Sequence, residues 1–233
     1  SDYTPAQKEI AYSNNGMVTT QHFIATRVGE NILNKGGNAY DASIAIAFTL
    51  AVVLPRAGNI GGGGFMIIYD KNTQKSYSID YREKAPKLSS KDMYLNEDGT
   101  FNNKKLSTFG YLSSGVPGTV AGLWEVHKKF GSLPWKTLLE DAIHYAKNGF
   151  EITDYMADVL YVYNEKLSYF KETESIFQNH YPDFKNKILI QNDLANTLKI
   201  ISEKGRDGFY KGEIAKKIAS AMKDNDGLIS LYD

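Results

Sequence analysis

The sequence predicts an α+β fold in which helices outnumber strands. Apolar residues recur three or four positions apart in seven segments, which is the spacing of one buried helix face. A short apolar run and an alternating segment on either side of a polar turn are typical of a β-hairpin. The chain has 233 residues, is 42% hydrophobic and 23% charged, and contains no internal repeat or low-complexity linker. We therefore expect residues 1–233 to form a single domain.

Two helices are predicted before a glycine-rich stretch. Residues 21–35 form the first helix, and Gly36-Gly37 supplies a left-handed stop. The second helix begins at Asn38 or Asp41, is apolar on nearly all sides and ends at Pro55, so it is expected to be buried. We interpret Asp41 as a cap of this helix rather than as a catalytic acid.

The predicted hairpin lies in the first half of the chain, and the second half is predicted to be mainly helical, with a strand or turn in the last residues, DGLISLYD. The hairpin strands are residues 65–69 and 76–81, and a polar, turn-rich surface segment, residues 83–107, follows them. The later helices are residues 119–130, 135–147, 153–169, 193–204 and 212–223, and glycine closes three of them.

The glycine run Gly58-Asn-Ile-Gly-Gly-Gly-Gly-Phe65 joins the buried helix to the hairpin. A dinucleotide-binding fingerprint needs a strand before the glycines and a helix after them, which is the reverse of the order here. A P-loop ends in Gly-Lys-Ser/Thr, and this run ends in Gly-Phe. We therefore expect glycines that either turn the chain with a positive φ or approach another backbone segment closely.

Arg82 directly follows the second strand, in SIDYREKAP. A guanidinium at a strand end beside glycine-lined backbone can bind a carboxylate through two parallel hydrogen bonds. The spacing equally allows a surface arginine paired with Asp80 or Glu83. The pattern alone leaves both alternatives open.

Charge and composition exclude several classes of function. Lys+Arg and Asp+Glu are both 27, so the formal net charge is zero and no basic cluster indicates nucleic acid or a membrane surface as a partner. The longest apolar run has about 13 residues, short of the ~20 that span a bilayer. There is no cysteine, and the first residues, SDYTPAQKEIAYSNN, do not have the pattern of a signal peptide.

The histidines and carboxylates do not form a catalytic or metal-binding pattern. The four histidines, His22, His127, His144 and His180, are far apart and include no H-x-x-x-H pair. We therefore predict no metal, no cofactor and no catalytic residue in this chain. The aromatic run Tyr155, Tyr161, Tyr163, Tyr169 and Phe170 is interpreted as packing, with a binding platform as the alternative.

Six segments together resemble the gamma-glutamyltransferase (gamma-glutamyltranspeptidase) family, in the part that becomes its large subunit. The combination of GGNAYDA, NIGGGGF and DYRE is specific, and the likeness extends over about nine-tenths of the chain. The segments are NGMVTTQHFIATRVGENILNKGGNAYDASIAIAFTLAVVLPRAGNIGGGGF, DYREKAP, GYLSSGVPGTVAGLWEVHKKFGSLPW, AIHYAKNGF, QNDLANTLKIISEKGRDGFYKGEIAKKIA and GLIS.

The resemblance implies an N-terminal-nucleophile hydrolase, an αββα sandwich of which this chain is the helix-rich part. Such a precursor cleaves itself, and the new N-terminal threonine of the small subunit attacks a gamma-glutamyl amide, as in glutathione. Water or an amino acid then accepts the glutamyl group. In the family, the arginine of the DYRE-type motif binds the α-carboxylate of the glutamyl group, which assigns substrate binding to Arg82. The resemblance also implies a periplasmic or secreted enzyme, because glutathione and related peptides are usually processed outside the cytoplasm.

The motifs that the family places in its small subunit, including the nucleophilic threonine, do not occur in this sequence. We therefore expect the chain to stop before the end of the large subunit, and to be inactive without its partner. Three alternatives remain open: a depolymerase of gamma-linked polyglutamate, a cephalosporin acylase of the same superfamily, and a non-catalytic binding fragment.

Overall fold

The structure, a computed structural model, describes residues 11–101 and 106–233. Two helices and a hairpin come first in the chain. They are α1 (Phe23–Asn34), α2 (Ala39–Val53), β1 (Phe65–Asp70) and β2 (Lys75–Asp80). The predicted bounds of these four elements differ from the observed ones by at most two residues.

After the hairpin comes a long irregular segment, which is followed by α-helices and one further two-stranded sheet. These elements are α3 (Thr119–Phe130), α4 (Trp135–Asn148), β3 (Phe150–Glu151), α5 (Asp154–Val162), α6 (Asn164–Leu167), α7 (Lys171–Phe177), β4 (Ile188–Leu189), α8 (Asn192–Lys204), α9 (Asp207–Tyr210) and α10 (Gly212–Asp224). Both sheets are antiparallel, and they pair β1 with β2 and β3 with β4.

The start of α2 is held by a reciprocal pair of side-chain contacts. The Asn38 side-chain oxygen accepts from the backbone N–H of Asp41, and the Asp41 carboxylate accepts from the backbone N–H of Asn38, both at 3.0 Å. This is a capping box, which satisfies N–H groups that have no partner inside the helix. The prediction that Asp41 caps the helix is confirmed.

Asp41 also ties α2 to a distant part of the chain. Its carboxylate is fully buried and accepts hydrogen bonds from the backbone N–H and the hydroxyl of Ser132 and from the backbone N–H of Leu133. The Asn38 amide donates to the Phe130 carbonyl at 2.7 Å. The GGNAYDA segment is therefore a structural element that fixes the loop between α3 and α4 on the end of α2.

The hydrophobic core is built around α2, whose side chains are buried on most sides as its composition predicts. Helices α1 and α4 pack against it, and α8 packs on the far side of α4. Trp135 at the start of α4 is buried and donates through Nε1 to the Ile201 carbonyl of α8 at 3.0 Å. Met66 and Ile79 of the hairpin also pack against this core.

The β1–β2 hairpin has one packed face and one exposed face. Met66 and Ile68 point toward the core, in alternation with Phe65, Ile67 and Tyr69, which are 60%, 77% and 65% exposed. The register places Asp80, Ser78 and Ser76 opposite those three exposed residues. A two-stranded sheet with three exposed apolar side chains on one face is unusual for a surface that remains in water.

The predicted helix over residues 153–169 is wrong in part. Thr153 caps α5 as expected, because its hydroxyl accepts from the backbone N–H of Met156. The helix then ends at Val162, where Val162 and Tyr163 are 72% and 49% exposed, and α6 and α7 follow as separate short helices. With no core surface against these side chains, periodicity alone does not sustain a long helix. Helices α7 and α9 and the pair β3–β4 were not predicted.

The turn-rich segment predicted for residues 83–107 contains turns and isolated bridges and is largely exposed where it is described. Residues 102–105 of that prediction lie outside the described residues. None of the described helices is long and apolar enough to cross a membrane.

Candidate functional site

Arg82 lies at the open end of β2, where the hairpin leaves the sheet. Its backbone N–H donates to the Asp80 carboxylate at 2.9 Å, which turns the chain out of the strand. Its side chain is 61% exposed. The guanidinium carbon lies 5.7 Å from the centre of the Phe65 ring, on the exposed face of the hairpin. The arginine is therefore held at its backbone and presents its charge to solvent.

Arg82 pairs with Glu83, the next residue in the chain. Its Nε donates to the Glu83 carboxylate at 3.0 Å. The backbone N–H of Glu83 itself and the Arg82 guanidinium hold the pKa of the Glu83 carboxyl below its usual range, and the backbone N–H of Gly63 acts in the same direction. Glu83 is thus a carboxylate at neutral pH and orients one edge of the guanidinium.

The other edge of the guanidinium is available. Among residues 11–101 and 106–233, no hydrogen bond or ion pair engages the two Nη atoms of Arg82. Those atoms are the parallel donors that a carboxylate binds in bidentate fashion. The structure therefore shows the pairing of Arg82 with Glu83, while the binding of a carboxylate by the free donor edge stays a prediction.

Glycines from two distant segments form a slot around the backbone of residues 81–83. A Cβ on Gly63 would lie 2.5 Å from the Tyr81 carbonyl oxygen, and a Cβ on Gly118 would lie 2.0 Å from the same atom. A Cβ on Gly122 would lie 2.3 Å from the Tyr81 ring. Real Cβ atoms do not approach other heavy atoms so closely, so only glycine allows this packing.

The glycine run acts by close approach, and the predicted alternative of a positive φ is wrong for its four consecutive glycines. None of Gly61 to Gly64 has a positive φ. The run is held in place by Asn59, whose side-chain oxygen accepts from the backbone N–H of Gly62 at 3.0 Å and from the Thr119 hydroxyl at 2.6 Å. This fixes the spacing between the run and the start of α3.

Backbone hydrogen bonds close the slot on both sides. The Gly62 carbonyl accepts from the N–H groups of Gly118 and Thr119 at 2.7 and 3.1 Å. Lys84 and Val116 exchange two backbone hydrogen bonds at 2.8 and 3.3 Å. Residues 81–84 are therefore clamped between the glycine run and residues 115–119, so the position of Arg82 depends on three separate segments.

Tyr210 braces the same region from the far end of the chain. Its hydroxyl donates to the Pro117 carbonyl at 2.8 Å and accepts from the Ala121 N–H at 3.2 Å. Burial raises the pKa of this hydroxyl, which keeps it protonated and able to donate. No sequence pattern indicates this contact, because Tyr210 and Pro117 are 93 residues apart.

The histidines do not converge on Arg82. His127 contacts the Leu133 carbonyl, His144 contacts Asn148 and His180 contacts the Ile188 carbonyl, while His22 caps α1. Among the described residues, no group of three His, Cys, Asp or Glu side chains is arranged to hold a metal ion. The geometry of the site supports anion binding by one arginine.

Comparison with known proteins identifies the family whose sequences this chain matches. A family model described as gamma-glutamyltranspeptidase matches residues 25–233. The chain is 45% identical over 223 residues to the glutathione hydrolase proenzyme of Pseudomonas aeruginosa, covering 94% of this chain and 38% of the relative. It is 38% identical over 221 residues to the capsule biosynthesis protein CapD proenzyme of Bacillus anthracis, covering 93% of this chain and 36% of that protein. The chain thus spans well under half the length of these curated relatives.

A solved structure with a similar fold is the gamma-glutamyltranspeptidase of Helicobacter pylori. It superposes with a TM-score of 0.92 at 40% sequence identity, over 97% of this chain and 64% of that chain. This likeness confirms the predicted fold class, the helix-rich part of an N-terminal-nucleophile hydrolase.

Proposed function

The chain belongs to the gamma-glutamyltranspeptidase family, and from that premise we propose that it binds the α-carboxylate of a gamma-glutamyl substrate through Arg82. The observation that carries the proposal is the free Nη edge of an arginine whose backbone is clamped in a glycine slot. A bidentate pair between a guanidinium and a carboxylate is directional as well as strong. It would orient the glutamyl group with its gamma-amide away from Arg82.

The bond-breaking step is assigned to a residue outside this sequence. The family resemblance implies that the hydroxyl of an N-terminal threonine, on a small subunit from the same precursor, attacks the gamma-amide carbon. The amine is expelled and takes a proton, and water or an acceptor amine then releases the glutamyl group from the threonine. In this scheme, Arg82 and the residues around it hold the substrate and take no part in proton transfer.

We assign the contact with the small subunit to the exposed face of the hairpin. Phe65, Ile67 and Tyr69 form an apolar stripe next to Arg82. In a two-sheet sandwich, such a face packs against the face of a second sheet. A partner there would bring its nucleophile close to Arg82 and would remove the stripe from water. By the same resemblance, we propose a periplasmic or secreted location.

The test is release of anilide from gamma-glutamyl anilide by the full-length protein, with Arg82→Ala beside the wild type. Losing the bidentate contact is expected to cost roughly 2–4 kcal/mol of transition-state binding, about 30- to 1000-fold in kcat/KM. Arg82→Lys keeps the positive charge but lacks the two parallel donors of the guanidinium, so it should retain only part of the wild-type activity. Arg27→Ala, an exposed arginine on α1, serves as the matched control.

The α-linked glutamyl anilide is the substrate control, because its free carboxylate is in the wrong place for the same pose. Wild-type activity retained by Arg82→Ala would move the carboxylate contact to another residue. A self-cleaved wild type that does not act on the anilide would favour the alternatives, a polyglutamate depolymerase or an acylase.

A second candidate, cleavage of a polymer of gamma-linked glutamate, has support in the likeness to CapD, a protein named for capsule biosynthesis. Arg82 could bind an α-carboxylate in either a free gamma-glutamyl peptide or a polymer. Comparing kcat/KM on a gamma-glutamyl dipeptide and on gamma-linked polyglutamate separates the two. A preference of 100-fold or more for the polymer, about 2.7 kcal/mol, would favour the second candidate.

A further inference from the structure

A large cavity lies away from Arg82, between the N-terminal end of α1, the C-terminal end of α2 and helices α5 to α7. Its volume is about 910 Å³, within the range of sites for small organic molecules. The side chains that line it are mainly aliphatic and aromatic. They come from Gln21, His22, Phe23, Val53, Leu54, Pro55, Arg56, Thr153, Tyr155, Met156, Val159, Leu160, Tyr163, Lys166, Leu167 and Phe177.

Two cations border this apolar cavity. The Arg56 guanidinium carbon lies 5.3 Å from the centre of the Tyr155 ring, and the Lys166 ammonium lies 5.5 Å from the centre of the Tyr163 ring. Neither cation forms an ion pair within the part of the chain that the structure describes. All four side chains belong to exposed residues, so the charges lie at the rim.

Acidic side chains do not offset these two charges within the lining. Among the described residues, the cavity wall contains no aspartate or glutamate. Asp154 and Asp158 are on α5 and Glu165 is on α6, but none of the three borders the cavity. The lining itself therefore carries a positive charge, although the chain as a whole is neutral.

His22 is one of the lining residues, but its unpaired ring nitrogen is buried inside the protein. Its Nδ1 accepts from the backbone N–H of Ile24 at 3.3 Å, so the proton of the neutral ring resides on Nε2. Burial lowers the pKa of this imidazole, which favours the neutral form. Nε2 has no hydrogen-bond partner among the described residues, and the residue is 7% exposed. A buried donor without a partner is costly unless something supplies an acceptor.

We propose that this cavity binds a small anionic amphiphile, a molecule with an apolar body and one carboxylate, sulfonate or phosphate head. The apolar wall accepts the body, while Arg56 and Lys166 attract the head at the rim. Exposed Phe23, Tyr155 and Tyr163, at 60%, 58% and 49%, would be covered on binding. A concave site with a few polar groups favours a small molecule over a polypeptide. Arg82 is not in the wall, so the site is separate from the proposed gamma-glutamyl site.

The probe is 8-anilinonaphthalene-1-sulfonate, compared with N-phenyl-1-naphthylamine, which has the same aromatic body without the charge. We expect the sulfonate dye to bind the folded full-length protein at one site per chain, with an affinity that falls as salt is added. Arg56→Gln and Lys166→Gln should each weaken it about 3- to 10-fold, as expected for a charge contact near a protein surface. Binding of the neutral dye should change less than about twofold.

Lys199→Gln is the matched control, because Lys199 is an exposed lysine on α8 outside the cavity wall. Val159→Trp is the blocking variant and should reduce binding of both dyes, because the indole would occupy the cavity. Thermal melts of every variant confirm that dye binding is measured on folded protein. The charge variants alter only exposed side chains, so they remain informative even if Val159→Trp is unstable.

Three results would overturn the proposal. The first is failure of the wild-type full-length protein to bind the sulfonate dye, which would show that other polypeptide fills or closes the cavity. The second is an equal loss of affinity for the charged and the neutral dye in Arg56→Gln and Lys166→Gln. The third is unchanged dye binding in a folded Val159→Trp protein, which would place the dye elsewhere.

Discussion

The backbone of Gly118 lies so close to Tyr81 that a Cβ at residue 118 would be 2.0 Å from the Tyr81 carbonyl oxygen. These residues belong to different segments, and their contact fixes the backbone immediately before Arg82. The amide of Gly118 is also used, because it donates to the Gly62 carbonyl at 2.7 Å. The arginine is thus placed by backbone packing rather than by its own side-chain contacts.

Gly118→Ala should destabilise the protein and displace Arg82. Overpacking a tight site costs about 1–3 kcal/mol, and the methyl group would push directly on backbone that cannot rotate away. Urea unfolding should therefore show a lower midpoint, and kcat/KM on gamma-glutamyl anilide should fall. Gly61→Ala is the matched control for stability, since a Cβ there meets nothing within 4 Å. Equal stability of the two variants would show that residues 81 and 118 can separate without cost.

Glu83→Gln should loosen the orientation of Arg82. The ion pair is partly exposed, with the Glu83 side chain at 32%, so its effect on stability should be small. Its effect on substrate binding should be larger, with KM raised about 3- to 10-fold and kcat changed less, because the lost contact positions the bound carboxylate. Steady-state kinetics on the full-length protein measure both. An unchanged KM would show that Glu83 does not position the guanidinium.

The same pair gives a pH dependence with a defined sign. The pKa of Glu83 is lowered in the folded protein, so the unfolded chain takes up the proton first as the pH falls. Its contribution to stability is therefore present above the ordinary glutamate pKa and is lost as the pH falls through the lowered value. The difference in unfolding free energy between wild type and Glu83→Gln should shrink over that acidic range. A difference that grows there would contradict the assignment.

Asp41→Asn should be the most destabilising of these substitutions. The buried carboxylate accepts from Asn38, Ser132 and Leu133, and an amide would turn an NH₂ group toward donors. Leaving such donors unsatisfied should cost about 3 kcal/mol. Asp158→Asn, at an exposed position on α5, should change the unfolding free energy by less than about 0.5 kcal/mol. Chemical denaturation at neutral pH compares the two.

Tyr210→Phe tests whether the far end of the chain braces the site. Removing the hydroxyl leaves the Ala121 N–H and the Pro117 carbonyl without this partner, which should cost about 1–2 kcal/mol. Because residues 117–121 form one side of the glycine slot, kcat/KM should also fall. Tyr12→Phe, on an exposed tyrosine, is the stability control. Lost stability with intact activity would limit Tyr210 to a role in folding.

The local features of this fold could be read from the sequence. The ends of α2, α3 and α4 were predicted closely, because capping side chains and glycine stops act over three or four residues. Gly36 and Gly149 have positive φ values of 86° and 83° at the ends of α1 and α4. The assignment of Arg82 to substrate binding stays a prediction, although the structure leaves its Nη edge free.

Contacts between segments far apart in the chain could not be read in this way. Nothing near Gly118 indicates that Tyr81 lies against it, and nothing near Asp41 indicates Ser132. The break of the predicted 153–169 helix and the cavity beside it likewise depend on which surfaces meet α5. By itself, the sequence determined most of the long helices, their caps and the family likeness, because short-range hydrogen bonds and periodic apolar residues leave a local pattern. Only the tertiary structure revealed the glycine slot and the cavity. Packing brings together residues that are far apart in the sequence, and their separation along the chain does not predict their distance in space.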